Sequence, residues 1–255
     1  MEAVAATAAP VEAQDARALA GDREAFNSLY RPHFEAVYDF VLRIVREREL
    51  AADVVRETFA RAWRAFPEQG SDVAAWLFAA SRSSALDALR YRRDRNGAER
   101  EALHFTSVDV NRVPNATVGF DQALVELVWD AAAALSREEY SLLALYARQH
   151  ISPEEIGESA AGIARLRATL DDRVAFKLVA GRARHACTEL ELLVAEGGEQ
   201  AVAWHIRRCE RCDESMRAFV SPTAVLGSLE RLAPPGGLER EIFKRAPRRR
   251  VFGIL

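Results

Sequence analysis

Three cysteines and one histidine form a candidate metal-ligand set near the C-terminal end of the chain. The cysteines all fall between Cys187 and Cys212, and the run closes as His205-x-x-x-Cys209-x-x-Cys212. Zinc takes four tetrahedral nitrogen or sulfur ligands, commonly a short-spaced pair or triple with one distant partner. His205 and Cys209 are one helical turn apart and project the same way. Cys212 follows after a tight step, and Cys187 can return on a neighbouring helix. The set predicts a closed, structural Zn2+ site, with His185 as the fallback ligand. Two plainer readings stand beside it: three reduced cysteines in ordinary packing, or a Cys209–Cys212 redox pair without metal. A zinc enzyme is not expected. It would need an open coordination position and a nearby general base, and no His-Glu-x-x-His pattern supplies them.

The second stretch with chemical potential is WLFAASRSSALDALRYRRDR, residues 76–95. Arg82, Arg90, Arg92, Arg93 and Arg95 stand against only Asp87 and Asp94. Guanidinium groups crowded at one end of a helix suit a polyanion. A solvated surface helix is the plain alternative.

The elements that position these residues are helical. Ser71 and Asp72 are N-cap types, and no Gly or Pro interrupts the run until Gly97, so one long helix or two abutting ones are expected. Val73, Trp76, Leu77 and Ala80 pack its start. Leu86 and Leu89 fall on another side at about 100° per residue, so the buried face must shift along the helix. The preceding run, residues 50–66, places Ala51, Val55, Thr58, Phe59, Ala62 and Phe66 on one stripe. Asp53, Arg56, Glu57, Ala60 and Arg64 occupy its other side.

Those two segments, AADVVRETFARAW and AWLFAASRSSALDALRYRR, resemble the core-binding and promoter −10-binding region of bacterial extracytoplasmic-function (ECF) RNA polymerase sigma factors. There the pattern is an A-D/E-D-x-x-Q-E-T-F-x-x-x-W helix followed by W-L-x-x-I-A-R-N-x-x-x-D-x-x-R. Arg56 stands where the family usually has Gln, and Ser83 where it usually has Asn. The resemblance implies that Asp53, Arg56, Glu57 and Arg64 meet the β′ clamp of RNA polymerase core. It implies that Arg82, Ser83, Arg90, Arg92 and Arg93 hold promoter DNA. A separate anti-sigma factor is a further candidate partner.

Composition agrees with an all-α chain. At 255 residues one or two domains are expected at about 150 each. Apolar residues make up 49% and charged residues 29%, and β-branched runs are short. The net charge is only −3, so nucleic-acid contact has to come from local clustering. Glu2 and the lack of a basic start argue against a secretory signal, and no apolar run reaches the ~18 to 20 residues that span a bilayer. No membrane association is expected, and a cytoplasmic place with reduced or metal-bound cysteines is.

Along the chain, residues 1–19 read as a disordered N-terminus and 20–95 as the first helical module. Phe26, Leu29, Tyr30, Phe34, Val37, Tyr38, Val41, Leu42 and Val45 recur at three- and four-residue steps, capped by Asp22 and interrupted at Pro32. Residues 96–120 read as a flexible linker rich in turn types. Resemblance implies that it threads through polymerase toward the RNA exit path. In 121–180, Leu124, Val125, Leu127, Val128 and Leu135 suit one helix. Ser136–Glu139 and Ser152–Glu155 are capping boxes, the second with Pro153 in the first turn. LSREEYSLLALYARQHISPEEIGES resembles the start of the sigma region that reads the −35 element. Arg165-Leu166 then arrives several residues early for that family, with Ser159–Gly162 as the candidate turn. Arg165, Arg167, Arg173 and Lys177 are phosphate-contact candidates opposed by Asp171 and Asp172. A degenerate helix-turn-helix and a structural bundle both remain open. Residues 181–220 read as a zinc module, and its motif resembles the zinc-binding anti-sigma motif found fused to some actinobacterial sigma-like proteins. In 221–255 the folded part is expected to end at Pro234–Gly237, leaving a solvated basic tail.

The whole therefore reads as two helical sigma domains, a flexible linker and a small C-terminal helical zinc module. The function expected is polymerase binding and promoter opening at the −10 element. The alternative is a sigma-like regulatory protein, of anti-sigma type, whose C-terminal half restrains the N-terminal half or docks a partner.

Overall fold

The computed structural model describes residues 23–65, 72–96, 122–182, 187–212 and 221–244, without the side chains of 65, 93–96 and 179–182. Every regular element of appreciable length among them is helical, as composition implies. The chain divides into unit 1, Met1–Val110 with Arg231–Leu255, and unit 2, Asn111–Glu230. The expected N-terminal disorder (1–19), nearly all of the linker (96–120), the cap Asp22, Phe66, Ser71, His185 and the arginines of the tail lie outside the described residues.

In unit 1, α1 (Arg23–Tyr30) leads through a 3-10 turn, Arg31–His33, into α2 (Phe34–Val45). Pro32 sits in that turn, where its missing N–H costs nothing. All nine apolar residues of the expected first core stripe are buried. Arg46 ends α2 in the left-handed region at φ 57°, and its N–H donates to Leu42 O at 2.7 Å. Helix α3 (Arg48–Ala65) then packs on α2, and α4 (Val73–Asn96) packs on both.

Helix α4 is one continuous element. Asp72 caps it, accepting from the N–H groups of Ala74 at 2.8 Å and Ala75 at 3.2 Å. Leu77 and Ala80 are buried early and Leu86 late, joined by Phe78, Ser81 and Ala85, so the buried face does drift along the helix. Ser81 Oγ donates back to Phe78 O at 3.0 Å, which lets a hydroxyl sit on the buried side.

The expectation that the fold ends at Pro234–Gly237 is corrected. A further helix, Leu238–Lys244, belongs to unit 1, with Leu238 and Phe243 buried. Two large side chains that reach a core outweigh the charged remainder of that segment.

In unit 2, α5 (Gln122–Ala133) and α6 (Arg137–Gln149) precede the four-residue α7 (Pro153–Ile156) and the long α8 (Ala160–Arg182). Both expected capping boxes are formed: Ser136 Oγ accepts from Glu139 N at 3.1 Å, and Ser152 Oγ from Glu155 N at 3.3 Å. The turn before α8 is placed differently from expectation. Gly157 carries it at φ 75°, a conformation suited to glycine. Ser159 instead starts the next helix, its Oγ accepting from Gly162 N at 2.9 Å. Helices α9 (Thr188–Glu196) and α10 (Gly198–Ile206) pack on α8, and α11 (Pro222–Ser228) packs on α5 and α6. Residues 187–212 thus share one unit with α5–α8.

Candidate functional site

The first candidate surface is the outer side of α3. Its inner stripe follows the helical spacing: Ala51, Val55, Thr58, Phe59 and Ala62 are buried, and Thr58 Oγ1 donates to Val54 O at 2.8 Å. That leaves Asp53, Arg56, Glu57 and Arg64 exposed. They pair internally, Arg56 Nη1 with Asp53 Oδ1 at 2.7 Å and Arg64 Nη2 with Glu57 Oε1 at 3.3 Å. The result is a surface of alternating charge, held by pairs too exposed to contribute much stability. Such groups are available to re-pair with a partner protein.

On α4 the cationic residues spread along the exposed side. Arg90 and Arg92 are exposed, Ser83 is exposed and Arg82 is half-buried; the Arg93 side chain lies outside the described residues. Arg90 Nη1 pairs with Asp87 Oδ1 at 3.0 Å, and Ser83 Oγ lies 3.5 Å from Asp87 Oδ2. Arg92 pairs with Glu47, just before α3. Tyr91 stands between them at 61% exposure, offering a ring face at the same surface.

The third group is the Cys/His cluster. Cys187 precedes α9, His205 ends the inner side of α10, and Cys209 and Cys212 follow it. His205 O accepts from Cys209 N at 2.9 Å, which turns the chain so that Cys212 comes back beneath the ring. Cys187 Sγ and Cys212 Sγ each lie 3.5 Å from His205 Nε2, and all four donor atoms lie within 4.8 Å of one another. A tetrahedron of ligands ~2.0–2.3 Å from a metal has edges of about 3.3–3.8 Å, so the set fits a four-coordinate ion. His205 Nδ1 faces Glu189 Oε2 at 3.6 Å, an outer partner that orients the ring with Nε2 inward. Leu190, Val202, Ile206 and Ala175 form the apolar bed beneath. The three cysteines are free thiols rather than disulfides. The Cys212 N–H holds the Cys209 thiol below its ordinary range, whereas burial pushes Cys212 up to about 12. A metal would therefore have to displace a proton from a well-buried thiol.

On α8, Arg165 and Arg167 are exposed, and the Arg167 guanidinium lies 5.7 Å from the Tyr146 ring centre. The other expected phosphate-contact residues are engaged within the unit. Arg173 pairs with Glu199 at 3.6 Å and Lys177 with Asp130 at 3.9 Å, while Asp172, expected to oppose such contacts, pairs with Arg207. Burial raises the Asp171 carboxyl above its usual value, against the pull of Arg167.

Residues 29–95, which hold α2, α3 and α4, match the Sigma-70 region 2 family. Over 74 residues the chain is 38% identical to the ECF RNA polymerase sigma factor BldN of Streptomyces coelicolor, 28% of each chain. It is 36% identical over 83 residues to the ECF RNA polymerase sigma factor SigL of Mycobacterium tuberculosis, 31% of this chain and 46% of SigL. The chain thus spans less than half the length of these two relatives. The RNA polymerase sigma factor CarQ of Myxococcus xanthus is 31% identical over 154 residues, 58% of this chain and 85% of CarQ. The chain belongs to the RNA polymerase sigma factor family. No solved structure gives a significant match.

Within this sigma-factor chain, the Cys/His cluster lies outside the region 2 match. Sequence reasoning missed four residues around the sites: Glu47, Glu189, Glu241 and Phe243. Each acts across a distance that periodicity does not sense. Glu241, for one, pairs with Arg56 from 185 positions away.

Proposed function

We propose that this chain binds RNA polymerase core through the outer side of α3 and directs promoter opening at the −10 element through α4. What carries the reading is the adjacency of the two surfaces in one region 2 module. Mixed charge on α3, at Asp53, Arg56, Glu57 and Arg64, suits a large protein partner such as the β′ clamp. The exposed guanidinium groups on α4 suit phosphates of promoter DNA, and Tyr91 suits stacking with an unpaired base. Arg165 and Arg167 on α8 are the remaining phosphate-binding groups. The chain itself performs no catalysis, because polymerase does the chemistry. No described helix is long and apolar enough to cross a membrane, and a cytoplasmic place beside polymerase fits that. A separate anti-sigma factor is a further candidate partner. The relatives are sigma factors, which does not favour a regulatory protein in place of one.

Reconstitution with core polymerase tests the reading. The holoenzyme should initiate at discrete promoters sharing a −10 element; core that starts no differently with and without the chain would refute it. In that holoenzyme, replacing Arg90 and Arg93 by alanine should weaken promoter binding across sequences. The slope of log affinity against log salt should fall by about 0.9 for each phosphate that is no longer neutralised. An unchanged slope would remove these arginines from the DNA surface.

The Cys/His cluster is proposed to hold a structural Zn2+ ion through Cys187, His205, Cys209 and Cys212. Three thiolates and an imidazole match zinc in softness and number, and they leave no open position for substrate. When bound, the ion supplies a cross-link among α9, α10 and the Cys209–Cys212 turn.

A further inference from the structure

The chain returns to unit 1 after unit 2, and it does so on the surface just assigned to polymerase. Leu232 N–H donates at 2.9 Å to Asp39 Oδ1, a carboxylate at 0% exposure. Pro234–Gly237 then turns the segment into the helix of Leu238–Lys244, here α12, which packs on α3. Phe243, at 1% exposure, enters an aromatic cup, its ring centre 5.4 Å from Phe59, 6.0 Å from Phe34 and 6.1 Å from Phe26. The Arg31 guanidinium covers that ring at 5.2 Å and pairs with Glu239 at 3.2 Å.

The decisive interaction is one turn away. Arg56 Nε and Nη2 both donate to Glu241 Oε2 at 3.3 Å, while Nη1 keeps Asp53 Oδ1 at 2.7 Å. Arg56 and Glu241 thus form a charge-matched pair between residues 185 positions apart in the same chain.

We propose that residues 231–244 form an intramolecular lid over the part of α3 that carries Arg56, and that core polymerase must displace it to bind. The inference rests on the reading of α3 as the polymerase-binding helix. The exposed ion pairs align the lid and hold it weakly. Burial of Phe243 and Leu238 supplies most of its hold. A binding-competent state populated only when the lid is open raises the apparent Kd by the inverse of that population. Opening would also bare Phe243 and its cup, so the released segment has an apolar face of its own to place on another surface.

The test uses full-length chain and core polymerase, comparing wild type with Glu241→Arg and Phe243→Ala. Glu241→Arg replaces attraction by repulsion at an exposed site and leaves the aromatic cup intact, so its fold is not at issue. It should bind core about threefold more tightly than wild type, and Phe243→Ala roughly tenfold or more. Hydrogen exchange on wild type supplies an independent reading, because amides of 238–244 should lose protection when core is added. Equal affinity of all three chains, or protection of 238–244 that persists in the complex, overturns the lid while leaving the sigma reading standing. Failure of all three to bind core overturns both.

Discussion

Replacing Cys212 by serine is expected to strip the metal from the purified chain and to lower the melting midpoint of unit 2 by about 10 °C. The reasoning runs from the geometry. Cys187, His205 and Cys212 belong to three separate stretches, and the 3.5 Å approaches of both thiols to His205 Nε2 bring those stretches to one point. Structural zinc in peptides of this ligand class contributes apparent free energies of ~10–16 kcal/mol. The loss here is smaller, because Leu190, Val202, Ile206 and Ala175 stay packed on one another when the metal goes. About 3 kcal/mol, a midpoint shift of roughly 10 °C for a unit of this size, is the expected remainder. Metal analysis of the purified chain should find one zinc in wild type and less than a tenth of that in Cys212→Ser. A chelator added to wild type should reproduce the shift. A wild-type chain that melts at the same temperature with and without chelator would show that packing alone holds the corner, and the metal reading would fall.

The cluster was legible because its information is local: three of its four ligands lie within eight positions, although α10 ends at Ile206 and it is the turn closed by Cys209 N–H on His205 O, not continued helix, that leads to Cys209. Helix α3 was legible for a similar reason. A stripe of five buried residues repeats at three- and four-residue steps, and the charged side follows from what remains. The capping boxes at Ser136 and Ser152 are likewise short-range chemistry, and both form.

What escaped the sequence depends on partners far along the chain. In LEREIFK only Leu238 and Phe243 are deeply buried, five positions apart, which is too little periodicity to separate a docked helix from a solvated one. Its anchors, Asp39, Arg56 and the aromatic cup, lie in the first quarter of the sequence. Arg173 and Lys177 read as phosphate-contact candidates opposed by Asp171 and Asp172, and their partners, Glu199 and Asp130, escaped for the same reason, since both sit on other helices. The turn before α8 was misplaced on composition. Ser159-Ala-Ala-Gly162 looks like a turn, but serine is also a helix start, and Gly157 already provides the left-handed residue.

Asp39→Ala is expected to cost unit 1 about 3–5 kcal/mol, the usual penalty for breaking a buried ion pair from one side. Arg43 Nε lies 2.8 Å from Asp39 Oδ1, one turn along α2, with side-chain exposures of 1% and 0%. The alanine variant leaves the guanidinium charge in the core without that carboxylate. A double variant, Asp39→Ala with Arg43→Met, removes both charges and should recover more than half of the loss, because an apolar pair needs no desolvated counter-charge. Denaturant midpoints of the three chains measure this; a single variant within about 1 kcal/mol of wild type would show that the pair contributes little. The same carboxylate accepts the Leu232 N–H, so it links the core of α2 to the returning C-terminal segment. Asp39→Asn separates the two roles. Its amide oxygen can still accept from Leu232, so residues 238–244 should keep their exchange protection while the ion pair is lost. Asp39→Ala should lose both, with the amides of α12 exchanging faster than those of α3.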